Sequence, residues 1–184
     1  MESPANDDLS KKLGSFVMVF EDLNQSMLAD IRTILLKNGL KNEAIQEIIL
    51  SDLTAEPIRS MLQSLCAEVL NPDTEEMKIL SKVFKEIQDL IKIRNEVVHS
   101  VWAEININGK KIVLTTKLKR SRNGSTTKTI LTTSKLLEEY IEQARHCHWL
   151  LGGVGYCIAM DKRISDTFEK TASGEYTAKK LSDR

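Results

Sequence analysis

The sequence predicts an all-α fold: an up-and-down bundle of about five helices with a small β-hairpin insertion before the last helix. Three observations predict it. Apolar residues return in steps of three and four along several long segments, the spacing of a buried helical stripe. Glycine and proline are sparse, 8 and 3 in 184 residues, while Leu, Ile, Lys and Glu dominate. The pattern changes to alternation in one place only, around Asn108-Gly109.

Residues 1–6 are expected to be loose, with Asp7 or Asp8 capping a first helix that runs to about Lys37. Its stripe is Leu9, Leu13, Phe16, Phe20, Leu23 and Met27. Val17, Met18 and Val19 widen the apolar surface, so both the core and a second subunit are expected to cover this helix. Asn38-Gly39 supplies a left-handed helix end. A short helix over about 42–52 is expected to turn Ile45, Ile48 and Ile49 inward. Thr54 caps a third, with Pro57 early enough to be tolerated and Ile58, Met61, Leu62, Leu65, Cys66 and Val69 as its stripe. Asn71-Pro72-Asp73 is turn chemistry, and Asp73 with Glu76 makes a capping box for a fourth helix, about Thr74 to Ser100. After Trp102, Ala103–Ile107 alternates, Asn108-Gly109 is a two-residue hairpin turn, and Lys111–Leu118 is rich in β-branched residues. Arg122-Asn123-Gly124 then marks a second turn before a third strand over about 126–131. Thr133 or Ser134 caps the last helix, whose stripe is Tyr140, Ala144, Cys147, Leu151, Val154 and Ile158. Gly152, Gly153 and Gly155 mark close packing or a kink, and a polar tail follows.

Composition narrows the function classes. The chain is 41% hydrophobic and 28% charged, with a formal net charge of zero, so any basic surface is local. The three cysteines, Cys66, Cys147 and Cys157, have no CxxC pairing and sit among apolar neighbours, as small core residues do. No apolar run approaches the ~18 residues of a membrane span, and the acidic, polar start carries no signal-peptide pattern, so a cytoplasmic location is expected. No phosphate-binding glycine loop, GxSxG or HExxH occurs. His146, Cys147 and His148 look ligand-like in a row, but neighbours on a helix point about 100° apart, so a structural role is expected and no metal or cofactor is assigned.

One stretch departs from the pattern. In Ile91–Trp102 the apolar steps through Leu80, Phe84, Ile87 and Ile91 land next on Arg94, and so do those through Val83, Ile87 and Leu90. Asn95 and His99, four apart, are expected on one adjoining helical face. A guanidinium keeps its charge and is costly to bury alone, so an anion should meet Arg94. Either a carboxylate of a neighbouring helix pairs with it and His99 merely occupies a helix end, or the anion is a phosphate and His99 moves protons. Arg94, Asn95 and His99 form the one compact set of groups suited to acid–base chemistry. The segment from Asn108 to Lys128 carries seven basic residues, Lys110, Lys111, Lys117, Lys119, Arg120, Arg122 and Lys128, and no acidic one. It fits a solvated hairpin whose lysines discourage edge pairing, or a basic arm along a polyanion, with Lys117, Lys119, Arg120 and Arg122 as its candidate nucleic-acid contacts. Without aromatics in the arm, base stacking is not expected.

Arg94–His99, RNEVVH, is similar to the R-x(4–6)-H motif of the HEPN superfamily, the higher-eukaryote and prokaryote nucleotide-binding domains. The order of elements also resembles that family: a long first helix, two shorter ones, a motif-bearing helix and a final helix. The resemblance implies a HEPN-like bundle over 7–161, with the basic hairpin of about 103–131 inserted and a polar tail over 162–184. It implies metal-independent RNA cleavage of the kind found in toxin–antitoxin, abortive-infection and CRISPR defence systems. It also implies a homodimer with two motifs facing one cleft, and an antitoxin or regulatory partner. Carried over, Arg94 and His99 are the catalytic pair and Asn95 the supporting polar residue. Members regulated by a nucleotidyltransferase often carry a tyrosine two residues past the histidine; here that position is Val101, so tyrosine modification is not implied.

Overall fold

In the computed structural model the backbone is described for residues 4–107, 110–121, 124–172 and 174–180. The stripe of the first helix, α1 (Pro4–Lys37), is longer than expected and continues through Ile31 and Ile34; Phe16, Phe20, Leu23, Met27, Ile31 and Ile34 are all fully buried. The helix starts at Pro4 rather than at Asp7, since the fixed φ of proline suits a first helical turn. It ends as the sequence predicts. Gly39 takes φ +93°, the Leu40 amide donates to the Leu35 carbonyl at 2.9 Å and the Gly39 amide to that of Leu36 at 3.1 Å.

The next helix, α2 (Glu43–Leu50), overturns one expectation. Ile45, Ile48 and Ile49 face solvent, at 43%, 78% and 42% exposure, while Gln46 and Leu50 are buried. The Gln46 side-chain amide donates to the Leu40 carbonyl at 2.6 Å. Satisfying that turn carbonyl fixes the rotation of a helix too short for its own hydrophobic face to decide.

Then come α3 (Ala55–Val69) and α4 (Thr74–Val98). Asp73 caps α4 through the Glu75 and Glu76 amides, and Glu76 returns to the Asp73 amide, completing the predicted box. Thr54 stands at the α3 N-cap but makes no side-chain capping bond. The strands β1 (Val101–Ile107), β2 (Lys110–Ser121) and β3 (Gly124–Leu131) form one antiparallel sheet in the order β1-β2-β3. Ile107 pairs with Lys110 and Ser121 with Gly124, so each connection is two residues long. Asn108, Gly109, Arg122 and Asn123 lie outside the described residues.

The last long helix, α5 (Ser134–Met160), runs beside α1 in the same direction. Lys12 pairs with Glu138 near the two starts, and Lys37 near the two ends donates to the carbonyls of Ile158 and Ala159 and to Asp161 at 2.8, 3.0 and 2.7 Å. Opposite it in direction lies α4: Glu86 meets His146 mid-helix, and Glu76 at its start meets Ser165 beyond the end of α5.

Residues 162–180 are not a loose tail. Arg163 leads into α6 (Ile164–Thr167), which is followed by β4 (Phe168–Lys170) and β5 (Tyr176–Ala178), an antiparallel pair. Ile164, Phe168 and Ala178 are buried. A side chain at Gly153 would meet the Phe168 ring at 2.8 Å, so this glycine marks close packing, and α5 runs on unbroken. The chain is therefore mostly helical, with six helices among the described residues and two small antiparallel sheets. The three cysteines are free and buried, as expected of small core residues. Among the described residues, no helix is long and apolar enough to cross a membrane.

Candidate active-site cleft

The C-terminal end of α4 is tied down by the residues that follow it. The His99 amide donates to the Asn95 carbonyl at 3.3 Å, the Ser100 hydroxyl to Glu96, and the Trp102 indole to Val97 at 2.9 Å. Those bonds satisfy carbonyls that a helix end leaves open. They also stop the helix at Val98, two residues short of the expected end, and make His99 its C-cap with φ −100° and ψ 11°. His99 thus does not continue the helical face of Asn95. Its ring instead lies beside Arg94, with Nε2 at 3.2 Å from Arg94 Nη1. A guanidinium has only N–H groups to offer, so in this contact Nη1 donates and the Nε2 lone pair accepts.

Three other groups surround Arg94. Nη1 also donates to Asn95 Oδ1 at 3.3 Å, the guanidinium carbon sits 5.6 Å from the centre of the Phe20 ring, and Nη2 is 3.9 Å from Glu21 Oε1. The side chain is 24% exposed. Its Nε is buried and has no hydrogen-bond partner among the described residues. The other arginines whose side chains are described behave differently. Arg59 grips Glu56 with two bonds of 3.0 and 2.8 Å, Arg163 donates to Glu76 at 3.1 Å and Asp73 at 2.7 Å, Arg32 to Glu47 at 2.9 Å, and Arg145 to Glu142. Each is closed by a hydrogen-bonded carboxylate. Arg94 is met by an ion pair too long for a hydrogen bond.

Arg94, Asn95 and His99 line one cleft of about 570 Å³, together with Phe20, Glu21 and Asn24 of α1, Ile91 of α4, and Leu53–Glu56 at the start of α3. Its charges are opposed: Glu21 stands beside Arg94, and Glu56 lines the same cleft. Glu56 is already committed, since its hydrogen bond with Arg59 holds its carboxyl below the usual range. Asn24 gives its side-chain amide to Glu21 at 3.4 Å, and its Oδ1 is buried without a partner among the described residues. Sequence reasoning missed Glu21, Asn24 and Glu56. Glu21 and Asn24 directly follow the stripe residues Phe20 and Leu23, where a polar residue looks like an ordinary helix flank. Arg59 three residues beyond Glu56 was the one available sign, and it points to an ion pair rather than a cleft.

No family model, curated protein or solved structure matches this chain.

The remaining candidates fall elsewhere. His146 Nε2 lies 3.4 Å from Glu86 and His148 Nε2 3.1 Å from the Ser26 hydroxyl, two separate links between helices. Among the described residues no group of three or more His, Cys, Asp or Glu is arranged to hold a metal ion. Lys117, Lys119 and Arg120 lie on β2, in register with Lys128, Thr126 and Ser125 of β3, and Arg122 lies outside the described residues.

Proposed function

We propose that this chain is a metal-independent endoribonuclease of HEPN type, a helical bundle working as a homodimer in which Arg94 and His99 of two subunits act on one RNA phosphodiester. The observation that carries this is the contrast among the arginines. Among the arginines whose side chains are described, the one set into the apolar stripe is the one without a hydrogen-bonded carboxylate, and it touches a histidine. A phosphate suits the open edge of a guanidinium in charge and shape. As Arg94 turns toward phosphate, Nη1 releases the Nε2 lone pair of His99, which can then take the proton of the RNA 2′-hydroxyl. That oxygen attacks phosphorus, Arg94 stabilises the charge gathering on the phosphoryl oxygens, and the partner's histidine, in its imidazolium form, protonates the departing 5′-oxygen, so one imidazole gains the proton that the other gives up. The products are a 2′,3′-cyclic phosphate and a free 5′-hydroxyl. Asn95 steadies the guanidinium. Lys117, Lys119, Arg120 and Arg122 guide RNA to the cleft, and a regulatory protein of antitoxin type is its expected controller in the cytoplasm.

The test is cleavage of a mixed RNA pool in EDTA, with end-group analysis. Wild type cuts and leaves cyclic phosphate ends, whereas Arg94→Ala and His99→Ala leave RNA intact while melting cooperatively. Cutting by either variant at the wild-type rate refutes the assignment. Neutralising the four hairpin residues lowers the log–log salt slope of RNA binding by roughly 0.7 for each phosphate no longer neutralised. A second reading, a catalytically silent interaction module, is favoured by the exposed Ile45, Ile48 and Ile49 face of α2. It predicts that RNA stays uncut in every variant and that a charge at Ile48 abolishes partner binding.

A further inference from the structure

We infer that Glu21 is the cleft's resident competitor for phosphate: its carboxylate stands beside the Arg94 guanidinium, has to be displaced when an anion enters, and so sets the anion affinity of the site. This rests on reading the cleft as a phosphate site. Glu21 is held only loosely, at 3.9 Å from Arg94 Nη2 and 3.4 Å from the Asn24 amide. Its side chain is 46% exposed, so it can turn into water without stranding a buried charge. Glu56, the other carboxylate of the cleft, cannot serve this role because Arg59 binds it through both oxygens. The guanidinium keeps its contacts with Asn95 and the Phe20 ring when Glu21 leaves, so it is not set free by that departure. With Glu21 in place, a donor (Arg94 Nε) and an acceptor (Asn24 Oδ1) remain buried and unsatisfied in the same cleft. Unsatisfied buried groups weaken the arrangement that leaves them so. A carboxylate held at 3.9 Å makes no hydrogen bond to Nη2, so an anion that reaches Nη2 gains the bond that Glu21 leaves unmade.

The experiment is a titration with inorganic phosphate at low ionic strength, followed through the Arg94 Nε–H signal by NMR and assigned by its loss in Arg94→Ala. Wild type binds weakly. Glu21→Gln and Glu21→Ala bind phosphate about two- to five-fold more tightly, the range given by removing one partly exposed charge interaction, and Arg94→Ala does not bind. If neither Glu21 variant gains affinity, or if phosphate leaves the Arg94 signal unmoved in every protein, the inference is overturned. Failure here with RNA cleavage still dependent on Arg94 and His99 removes only the role of Glu21. Tighter phosphate binding by both Glu21 variants, with RNA uncut by every protein, upholds the competitor and removes the nuclease.

Discussion

Replacing Glu76 by glutamine tests how the fold is closed at the end of α4 remote from the cleft. Glu76 is buried, and its carboxylate collects four donors. Oε2 accepts from the Asp73 amide at 3.1 Å, while Oε1 accepts from Arg163 Nε at 3.1 Å, the Ser165 amide at 3.1 Å and the Ser165 hydroxyl at 2.7 Å. Burial pushes its pKa up, but the bonds from Arg163, Ser165 and the Asp73 amide more than reverse this and hold it down to about 2, from 4.5. At 1.36 kcal/mol per pH unit, that difference is worth ~3 kcal/mol of native stability. A glutamine has one acceptor oxygen. Whichever way its amide turns, its NH₂ faces a donor, either the Asp73 amide or the Arg163–Ser165 group. The folded-state value is depressed, so the contribution is complete above pH 4.5 and is lost as pH falls toward 2. Thermal unfolding of Glu76→Gln at pH 7 should therefore show a Tm roughly 6–12 °C below wild type, at ~2–4 °C per kcal/mol for a chain of this size. The gap should narrow steadily below pH 4. Superimposable melts at pH 7, or a gap that widens in acid, would refute this account of how residues 163–165 are fastened to α4.

Two further predictions concern the α1–α5 interface and the packing on α5. A methyl group on Gly155 would meet Asp30 Oδ1 at 2.6 Å and one on Gly153 the Phe168 ring at 2.8 Å, whereas Gly152 has nothing within 4 Å. Alanine at 153 or 155 should cost ~1–3 kcal/mol in urea unfolding, and alanine at 152 should stabilise by up to ~1 kcal/mol through helix propensity; equal effects at all three would disprove the packing assignment. The Asp30 carboxyl is pushed up to about 7 by burial. Its folded-state pKa is raised, so its ionisation burdens the fold increasingly from pH 4 to 7. Asp30→Asn should match wild type near pH 4 and be more stable by a few kcal/mol (~4 at most) at pH 8; a constant difference across that range would rule this out.

Much of the fold was legible because long helices declare themselves. The stripes of α1, α4 and α5 each run for several turns, so their buried faces follow from spacing alone. The Asp73–Glu76 box and the Asn38-Gly39 stop are local chemistry and appear where the sequence puts them. Short elements were not legible in this way. In α2, Gln46 and Leu50 take the inward positions and the isoleucine face is left to solvent, a rotation that the spacing of so short a helix does not fix. Past Lys162, three buried apolar side chains spaced among polar residues have no periodicity to announce them, and their burial is decided by packing against the rest of the chain.

The candidate site divides along the same line. From the sequence alone came the misfit of Arg94 in an apolar stripe and its nearness to Asn95 and His99, since all three lie within two turns of one helix. Tertiary structure decided what Arg94 meets. Glu21, Asn24 and Phe20 reach it from a helix some 70 residues earlier in the chain, and no local spacing records how two helices pack. The direction of the imidazole, by contrast, follows from the helix ending at Val98, where Ser100 and Trp102 bond to carbonyls only four and five residues back. A charge among apolar neighbours is visible in one dimension, but whether its counter-charge is near enough to quench it is a distance in three.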